Sequence, residues 1–353
     1  MLKILPYLKL AVEKNASDIF FTANAPAMLK VEGEFLAIGK TQLTSEFIKE
    51  LAMSILVPEQ QEYFKQNYEI DLATQAGGLG RFRVNIFTQR NSVGMVLRYV
   101  KSDVPRLEQL NVPEVLKDLI MLKRGMILMV GATGSGKSTT LAAMINHRNE
   151  NAAGHILTIE DPIEFLHPNK RSILNQREVG TDTVTYERAL KSSLREAPDV
   201  ILIGEVRTRE TMEATMQLAN TGHLSISTLH ANNAYQALQR IINLYPDELR
   251  DQLYMDLSMT LRAIVSQRLV RRKDGKRCAA NEIMINTPFI QELILRKRID
   301  EVKETMNQSS DKGMLTFDNS LFNLWKSGMI DMEEALNNAD SRTNLEAKIN
   351  FGT

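Results

Sequence analysis

The sequence predicts an α/β protein in two parts: an α+β module, then a mainly parallel sheet covered by helices on both faces. Three observations lead to this prediction. Short alternating strands surround one helical stretch in the first 100 residues, apolar runs of strand length alternate with helical stretches after residue 105, and a polar segment separates the two textures. A chain of 353 residues is long enough for two domains with buried cores.

Composition excludes several classes of protein. Lys plus Arg number 43 and Asp plus Glu number 43, so the formal net charge is zero and does not favour nucleic acid or an acidic membrane surface as a partner. The single cysteine, Cys278, argues against a disulfide scaffold and a cysteine-rich zinc cluster. No apolar run approaches the roughly 20 residues of a membrane span. Pro6 and Lys9 interrupt the first ten residues, which predict a short amphipathic helix rather than a signal peptide.

The first module is predicted from alternation. Strands are expected at 18–22, 27–31, 81–87 and 94–100, with a helical stretch over 45–63. In the strand 81–87 Arg81 and Arg83 share one face while Phe82 and Val84 share the other, so one face packs and the other presents arginines. The polar segment that ends at Pro105 predicts a linker.

Continuous apolar strands characterise the second part. They are expected at 126–130, 155–159, 199–203 and 224–229, and strands of this kind belong inside a parallel sheet. A last strand is expected at 282–285, with helices in most of the remainder from about residue 276. Asp331 resembles the start of a capping box, and Gly328 is expected to end the preceding helix.

A phosphate-loop pattern follows the strand 126–130. Residues 131–138 match G-x-x-x-x-G-K-[ST], with a strand before the loop and a helix after it, as this motif requires. Its glycines let backbone N–H groups face phosphate oxygens, Lys137 neutralises β- and γ-phosphate charge, and Ser138 holds Mg²⁺. The predicted nucleotide-binding residues are Gly131, Ala132, Thr133, Gly134, Ser135, Gly136, Lys137, Ser138 and Thr139.

Carboxylates end two of the predicted strands, as a magnesium-dependent nucleotide site requires. Glu205 follows the apolar run 199–203 and is predicted, with Ser138, to hold the metal. After the strand 155–159, Glu160 is predicted to orient the attacking water, and Glu164 is the alternative. A lone surface carboxylate is ordinarily solvated, but the recurrence of acids at two strand ends favours a catalytic interpretation.

Two of the five histidines, His223 and His230, flank the strand 224–229. Their spacing does not suit a zinc finger, and a structural histidine is the plainer interpretation of either one alone. Because Glu205 is expected at an end of the same sheet, we predict that these histidines sense the γ-phosphate.

Four motifs of the secretion-superfamily traffic ATPases have a counterpart in this chain. The segments 131–138, 160–164, 199–205 and 223–230 resemble, in this order, the Walker A, Asp box, Walker B and His box motifs. Segments 16–19, 31–34, 80–83, 175–179 and 222–231 extend the resemblance to the type IV pilus retraction ATPases of twitching motility, the PilT/PilU family. Residues 17–21 and 289–296 depart from the usual PilT pattern, the latter by lacking an arginine of its signature. Together with the segments 283–288, 314–322 and 335–340, the loss of that signature makes the resemblance nearest to the PilU branch of accessory retraction ATPases.

The resemblance implies a fold and an assembly. Residues 1–100 would form a PAS-like domain, 101–110 a linker, 111–275 a RecA-like ATPase core and 276–353 a helical C-terminal region. Members are homohexameric motors that hydrolyse ATP, at the cytoplasmic face of the inner membrane at the pilus base. The implied partners are a PilT-type ATPase and an inner-membrane pilus platform protein.

Arginines from the first module or a neighbouring subunit would neutralise the transferring phosphoryl group in such a motor. An exposed side chain or a structural ion pair is the plainer interpretation of each arginine. The candidates are Arg81, Arg83, Arg98, Arg195 and Arg207.

Four alternatives stay open. The chain could be an autonomous PilT-type motor, or a regulatory ring subunit that binds ATP and turns it over weakly. A pilus-extension ATPase is disfavoured by the single cysteine, since many of these carry a four-cysteine zinc subdomain. A nucleic-acid translocase is disfavoured because the net charge is zero, and the basic run 268–277 has no interleaved aromatic residues and is interpreted as a solvated loop. No nucleic-acid partner is expected.

Overall fold

The computed structural model describes residues 3–31, 33–100, 103–309 and 313–351, which divide into two units. The first unit comprises Met1–Asp103 and Glu164–Leu166, and the second comprises Val104–Ile163 and His167–Thr353. The domain boundaries given above stay a prediction. Parts of four predicted features lie outside the described residues: 1 and 2 of the N-terminal helix, Glu32 of the segment 31–34, 101 and 102 of the linker, and 310–312 and 352–353 of the C-terminal region.

Within its described residues, the first unit contains six strands and three helices. They are α1 (Leu5–Glu13), β1 (Asp18–Phe21), β2 (Ala27–Val31), β3 (Glu34–Ile38), α2 (Ser45–Ile55), α3 (Pro58–Asn67), β4 (Glu69–Ala76), β5 (Gly80–Gln89) and β6 (Ser92–Val100). The strands form one antiparallel sheet in the order β3-β2-β1-β6-β5-β4. On β5, Phe82, Val84 and Ile86 are buried, so the predicted alternation of that strand is confirmed.

The stretch predicted as helical over 45–63 is helical except at Leu56 and Val57, where it divides into two helices. Thr44 caps the first helix by accepting a hydrogen bond from the backbone N–H of Phe47. Leu56 and Val57 are extended, and α3 begins at Pro58. The proline ring disfavours helical dihedrals at the residue before it, so the helix cannot continue through this point.

The described part of the second unit contains seven strands. They are β7 (Gly125–Val130), β8 (Gly154–Glu160), β9 (Ser172–Glu178), β10 (Val200–Ile203), β11 (Leu224–Leu229), β12 (Leu261–Arg271) and β13 (Arg277–Ile285). Its α-helices are α4 (Val115–Ile120), α5 (Lys137–Asn151), α6 (Tyr186–Ser193), α7 (Arg209–Asn220), α8 (Ala234–Asn243), α9 (Arg250–Thr260), α10 (Pro288–Leu295), α11 (Val302–Gln308), α12 (Phe317–Lys326), α13 (Met332–Asn337) and α14 (Arg342–Phe351).

The seven strands form one sheet in the order β13-β12-β7-β11-β10-β8-β9. All neighbours are parallel except β12 and β13. All six residues of β7 are buried: Met126 and Leu128 pack in one hydrophobic cluster with residues of α7, α8 and α9, whereas Ile127 and Met129 pack with residues of α4 and α5. Helices therefore cover both faces of the sheet, and the predicted α/β class with a parallel sheet is confirmed.

The antiparallel hairpin of β12 and β13 contradicts part of one prediction. Within the basic run 268–277 only the turn 272–276 is a solvated loop, since 268–271 end β12 and Arg277 begins β13. The Arg268 guanidinium lies 3.8 Å from the centre of the Phe317 ring, and its Nη2 lies 2.8 Å from Oδ1 of Asp340. Sequence periodicity missed the strand because cation–π and ionic contacts let arginine pack against an apolar surface.

Near the C-terminus, the start of α13 follows the prediction. Asp331 Oδ1 accepts a hydrogen bond from the backbone N–H of Glu334 at 2.7 Å, so Asp331 is the N-cap of this helix. Gly328 follows the end of α12 with φ of 75°. Across the described ranges of the chain, the helices are all too short or too polar to cross a bilayer.

Candidate functional site

The phosphate loop and the predicted acids meet at one edge of the seven-stranded sheet. Because β7, β8, β10 and β11 are parallel, their carboxyl ends lie at the same edge. The loop 131–136 follows β7, Glu160 is the last residue of β8, Glu205 follows β10 after one glycine, and His230 follows β11. Carboxyl ends of parallel strands are where α/β proteins ordinarily bind ligands.

The phosphate loop uses glycine where its backbone is crowded. Gly131 has φ of 151°, and a Cβ atom there would lie 2.5 Å from the backbone oxygen of Gln267 and 2.6 Å from Oγ of Ser135. Gly136, with φ of 85°, directly precedes α5. Glycine tolerates these positive φ values, and because it lacks a Cβ atom it also allows the close approach at Gly131. The loop therefore ends at the N-terminus of a 15-residue helix, where unpaired N–H groups favour an anion.

Lys137 lies folded back over the loop. Its Nζ donates hydrogen bonds to the backbone oxygens of Gly131 at 2.7 Å and Ala132 at 2.9 Å. Burial lowers the pKa of the Lys137 ammonium, and the negative charge of Glu205 opposes this shift. The positive charge is thus held in a partly desolvated position, where its attraction for phosphate is screened less than in water.

Glu205 is contacted by two basic side chains. Nε2 of His230 lies 3.0 Å from its Oε1, while Nε and Nη2 of Arg207 lie 2.8 and 2.7 Å from its Oε2. The hydroxyl of Thr228 donates to the backbone oxygen of Gly204 at 2.6 Å, which ties the end of β10 to β11. The structure thus brings Glu205, His230 and Arg207 together.

The Glu160 carboxylate is oriented by hydrogen bonds from neighbouring side chains. Thr158 donates to its Oε1 at 2.7 Å and Gln176 at 3.4 Å. Tyr186 lies nearby: burial raises the pKa of its phenol well above the ordinary value, and the charges of Asp161 and then Glu160 raise it further. Tyr186 was not predicted from the sequence, because an aromatic residue at the start of a helix gives no sign that it will lie near the carboxylates of Glu160 and Asp161.

Two predicted residues of the second unit lie away from this group. His223 precedes β11 at the amino edge of the sheet, opposite the phosphate loop, and its Nδ1 lies 3.1 Å from Leu218 O and 3.1 Å from Thr221 Oγ1. The structure does not bring it to His230. Arg195 is exposed in the segment after α6.

Four predicted residues belong to the first unit. Arg81 and Arg83 lie on β5, and Arg98 on β6 is the cross-strand partner of Arg83. Nε of Arg98 lies 2.7 Å from Oδ1 of the buried Asp18, which makes this arginine a partner of a structural carboxylate. Glu164 is exposed and is also assigned to the first unit.

Gln267 was also not predicted from the sequence, although it contacts the phosphate loop. It is 2% exposed on β12 and donates from Nε2 to the backbone oxygen of Ser135 at 2.8 Å. One signal was available: Ser266 and Gln267 are polar residues inside the apolar run of β12. A buried amide in such a strand requires hydrogen-bond partners.

The residues of this edge fit a magnesium nucleotide. The buried Oγ of Ser135 has no hydrogen-bond partner among the residues the structure describes. This hydroxyl could therefore form a hydrogen bond to a ligand bound at the loop. Ser138 is exposed at the first turn of α5, and Glu205 provides carboxylate oxygens. Hydroxyl and carboxylate oxygens are suitable ligands for Mg²⁺.

Known proteins are similar to this chain over nearly its whole length. Residues 3–318 match the family described as "Type II/IV secretion system protein". The chain is 50% identical over 347 residues to the type IV pilus ATPase PilU of Pseudomonas aeruginosa, covering 98% of this chain and 91% of that protein. It is 39% identical over 328 residues to the type IV pilus retractation ATPase PilT of the same organism, covering 93% and 95%.

A solved structure agrees with these relatives. The pilus retraction motor PilT with bound ADP superposes with a TM-score of 0.91 at 38% identity, covering 97% of this chain and 98% of that one. The similarity thus extends beyond the motifs to the entire fold. The resemblance predicted from the sequence is confirmed.

Proposed function

Since this chain belongs to the type II/IV secretion system protein family, we propose that it is an ATPase that powers type IV pilus retraction. The observation that carries the proposal is the meeting of the phosphate loop, Lys137, Glu160, Glu205 and His230 at one sheet edge. ATP binds with its phosphates at residues 131–139. Lys137 exchanges its two carbonyl partners for phosphate oxygens and neutralises their charge.

Ser138 and Glu205 would hold Mg²⁺, which supplies positive charge to the phosphate oxygens when bound. Glu160, oriented by Thr158 and Gln176, aligns a water for attack on the γ-phosphorus and accepts its proton. His230 donates a hydrogen bond to Glu205 and fixes the direction of that carboxylate.

Candidates for neutralising the transferring phosphoryl group remain Arg81, Arg83, Arg98, Arg195 and Arg207. Among them, Arg207 is supported by its contact with Glu205, while the contact of Arg98 with Asp18 favours a structural role. Glu164 stays the alternative to Glu160. His230 stays the candidate γ-phosphate sensor, whereas the position of His223 at the opposite edge of the sheet does not support that role toward the phosphate loop of the same chain.

We further propose the finer organisation that the family resemblance implies. Residues 1–100 are a PAS-like domain, 101–110 a linker, 111–275 a RecA-like core and 276–353 a helical C-terminal region that begins with β13. Six copies form a ring, which acts in the cytoplasm, peripheral to the inner membrane. The 50% identity to PilU favours an accessory motor that works with a PilT-type ATPase and the pilus platform protein.

The test is steady-state ATP hydrolysis by the purified chain beside Glu205→Gln, each alone and mixed with a PilT-type ring. Glu205→Gln keeps the size of the side chain but loses its charge, so turnover should fall by about 10²-fold or more. Glu213→Gln is the matched control, since Glu213 is a carboxylate of α7 paired with Arg209, and it should retain activity.

The outcomes separate the alternatives. Equal turnover by the wild type and Glu205→Gln would contradict the catalytic assignment. Turnover that rises only in the mixture supports the accessory motor, strong turnover alone supports an autonomous PilT-type motor, and nucleotide binding with weak turnover in both conditions supports a regulatory ring subunit. A particle mass six times that of one chain is expected by light scattering.

A further inference from the structure

One buried amide joins the phosphate loop to the sheet and to the helix that follows it. Nε2 of Gln267 donates to Ser135 O at 2.8 Å. Its Oε1 accepts hydrogen bonds from Thr140 Oγ1 at 2.9 Å and from Asn281 Nδ2 at 3.1 Å. Gln267, Thr140 and Asn281 are each at most 2% exposed. The amide therefore contacts the loop, α5 and β13 at the same time.

These contacts fix which way the amide points. A backbone oxygen can only accept, so the NH₂ group must face Ser135, and the carbonyl must face the donors on Thr140 and Asn281. A carboxylate at position 267 would put oxygen against oxygen, and an apolar side chain would leave the loop carbonyl without this donor. Water cannot easily replace the contacts because all three side chains are buried.

The backbone of the same residue also touches the loop. The oxygen of Gln267 is 2.5 Å from the position of a Cβ atom on Gly131, and its Nε2 is 2.9 Å from such a position on Gly136. Both ends of the loop thus lie directly against one residue. β12 itself is held between β7 and β13, so Gln267 is a fixed support for the loop.

We propose that Gln267 is a positioning residue that holds the phosphate loop in its nucleotide-binding conformation, with Thr140 and Asn281 holding the amide itself. This inference rests on the proposed ATPase function. Gln267 acts through the loop rather than on ATP. Its loss therefore weakens the affinity for nucleotide more than it weakens folding, because a loop that is free to move must be ordered again by the ligand.

The test compares Gln267→Met, Thr140→Val and Thr140→Ser with the wild type. For each we would measure the melting temperature, KM and kcat for ATP, and the Kd of a fluorescent ATP analogue. Gln267→Met keeps the side-chain length and should raise KM and Kd by about tenfold or more. Thr140→Val removes one supporting donor and should have a smaller effect, and Thr140→Ser, which keeps the hydroxyl, should retain more affinity than Thr140→Val.

Asn286→Leu is the matched control. Asn286 is a buried amide whose Nδ2 donates to Ser258 O and Leu261 O at the other end of the sheet, so this change should lower the melting temperature and leave KM unchanged. If Gln267→Met behaved like this control, with a lower melting temperature and wild-type KM and Kd, the residue would be structural and the proposal would be overturned.

Binding of the fluorescent ATP analogue distinguishes failure of the positioning role from failure of the proposed ATPase function. A wild type that binds the analogue without hydrolysing ATP would refute the ATPase function, while a tenfold weaker Kd for Gln267→Met would still support the positioning role. A wild type that binds no nucleotide would overturn both.

Discussion

Replacing Gly131 with alanine should damage the phosphate loop far more than replacing Gly134, although both glycines have positive φ. A Cβ atom on Gly131 would lie 2.5 Å from Gln267 O, roughly 0.8 Å closer than the ~3.3 Å of a close C···O contact. That oxygen belongs to the backbone of β12, an internal strand of the sheet, so the loop must move instead. At Gly134, with φ of 79°, a Cβ would meet no heavy atom within 4 Å.

The magnitudes follow from these geometries. The unfavourable dihedral costs about 1–2 kcal/mol at Gly134 and about 1–3 kcal/mol at Gly131, and overpacking adds about 1–3 kcal/mol at Gly131 only. At a few degrees per kcal/mol for a unit of this size, Gly131→Ala should lower the melting temperature by on the order of 10 °C. A loop displaced by roughly 0.8 Å should also reduce ATP turnover by up to about 10²-fold.

Differential scanning fluorimetry and phosphate-release kinetics on the two variants provide the assay. Gly134→Ala should show the smaller loss of melting temperature and retain more turnover. Equal losses of stability in the two variants, or wild-type turnover by Gly131→Ala, would refute the steric reasoning.

Three other changes test separate parts of the structure. Lys137→Ala should reduce ATP turnover by about 10²-fold or more with retention of the fold by circular dichroism, and wild-type turnover would exclude a nucleotide role for this lysine. Burial, and secondarily the charge of Lys170, lower the pKa of His167 from 6.5 to about 4. The folded state therefore prefers the neutral ring, and this stabilisation is present above pH 6.5 and lost as the pH falls toward 4. Urea unfolding should show the wild type losing about 2 kcal/mol more than His167→Gln between pH 7 and pH 5, whereas equal losses would contradict the shift. Arg98→Ala leaves the buried Asp18 without its ionic partner and should cost about 1–2 kcal/mol by urea unfolding. A fall in turnover at unchanged stability would instead identify Arg98 as an arginine finger.

Local patterns predicted the phosphate loop and the main strands of the sheet. The loop 131–136 requires glycine, a preceding buried strand and a following helix, and all three are adjacent in the sequence. Glu160 and Glu205 could be expected near one another because they end strands of a parallel sheet. These predictions rest on a few neighbouring residues and on the geometry of parallel strands.

The features that were missed depend on contacts between distant residues. β12 carries an arginine whose charge is compensated by Asp340, 72 positions along the chain, so its composition did not look like that of a buried strand. Gln267 reaches the phosphate loop from 132 positions away. Periodicity reports which residues are buried and not which partners they meet.

The position of β7 inside the sheet determines how the site can move. This strand has a hydrogen-bonded neighbour on each side, β11 and β12, and helices on both faces. Its amides should therefore exchange with deuterium only through large openings, whereas those of the loop 131–136 should exchange through small local ones. Bound nucleotide would then protect the loop while leaving the strand unchanged. Deuterium uptake of a few residues could thus report occupancy of the site without any label on the protein.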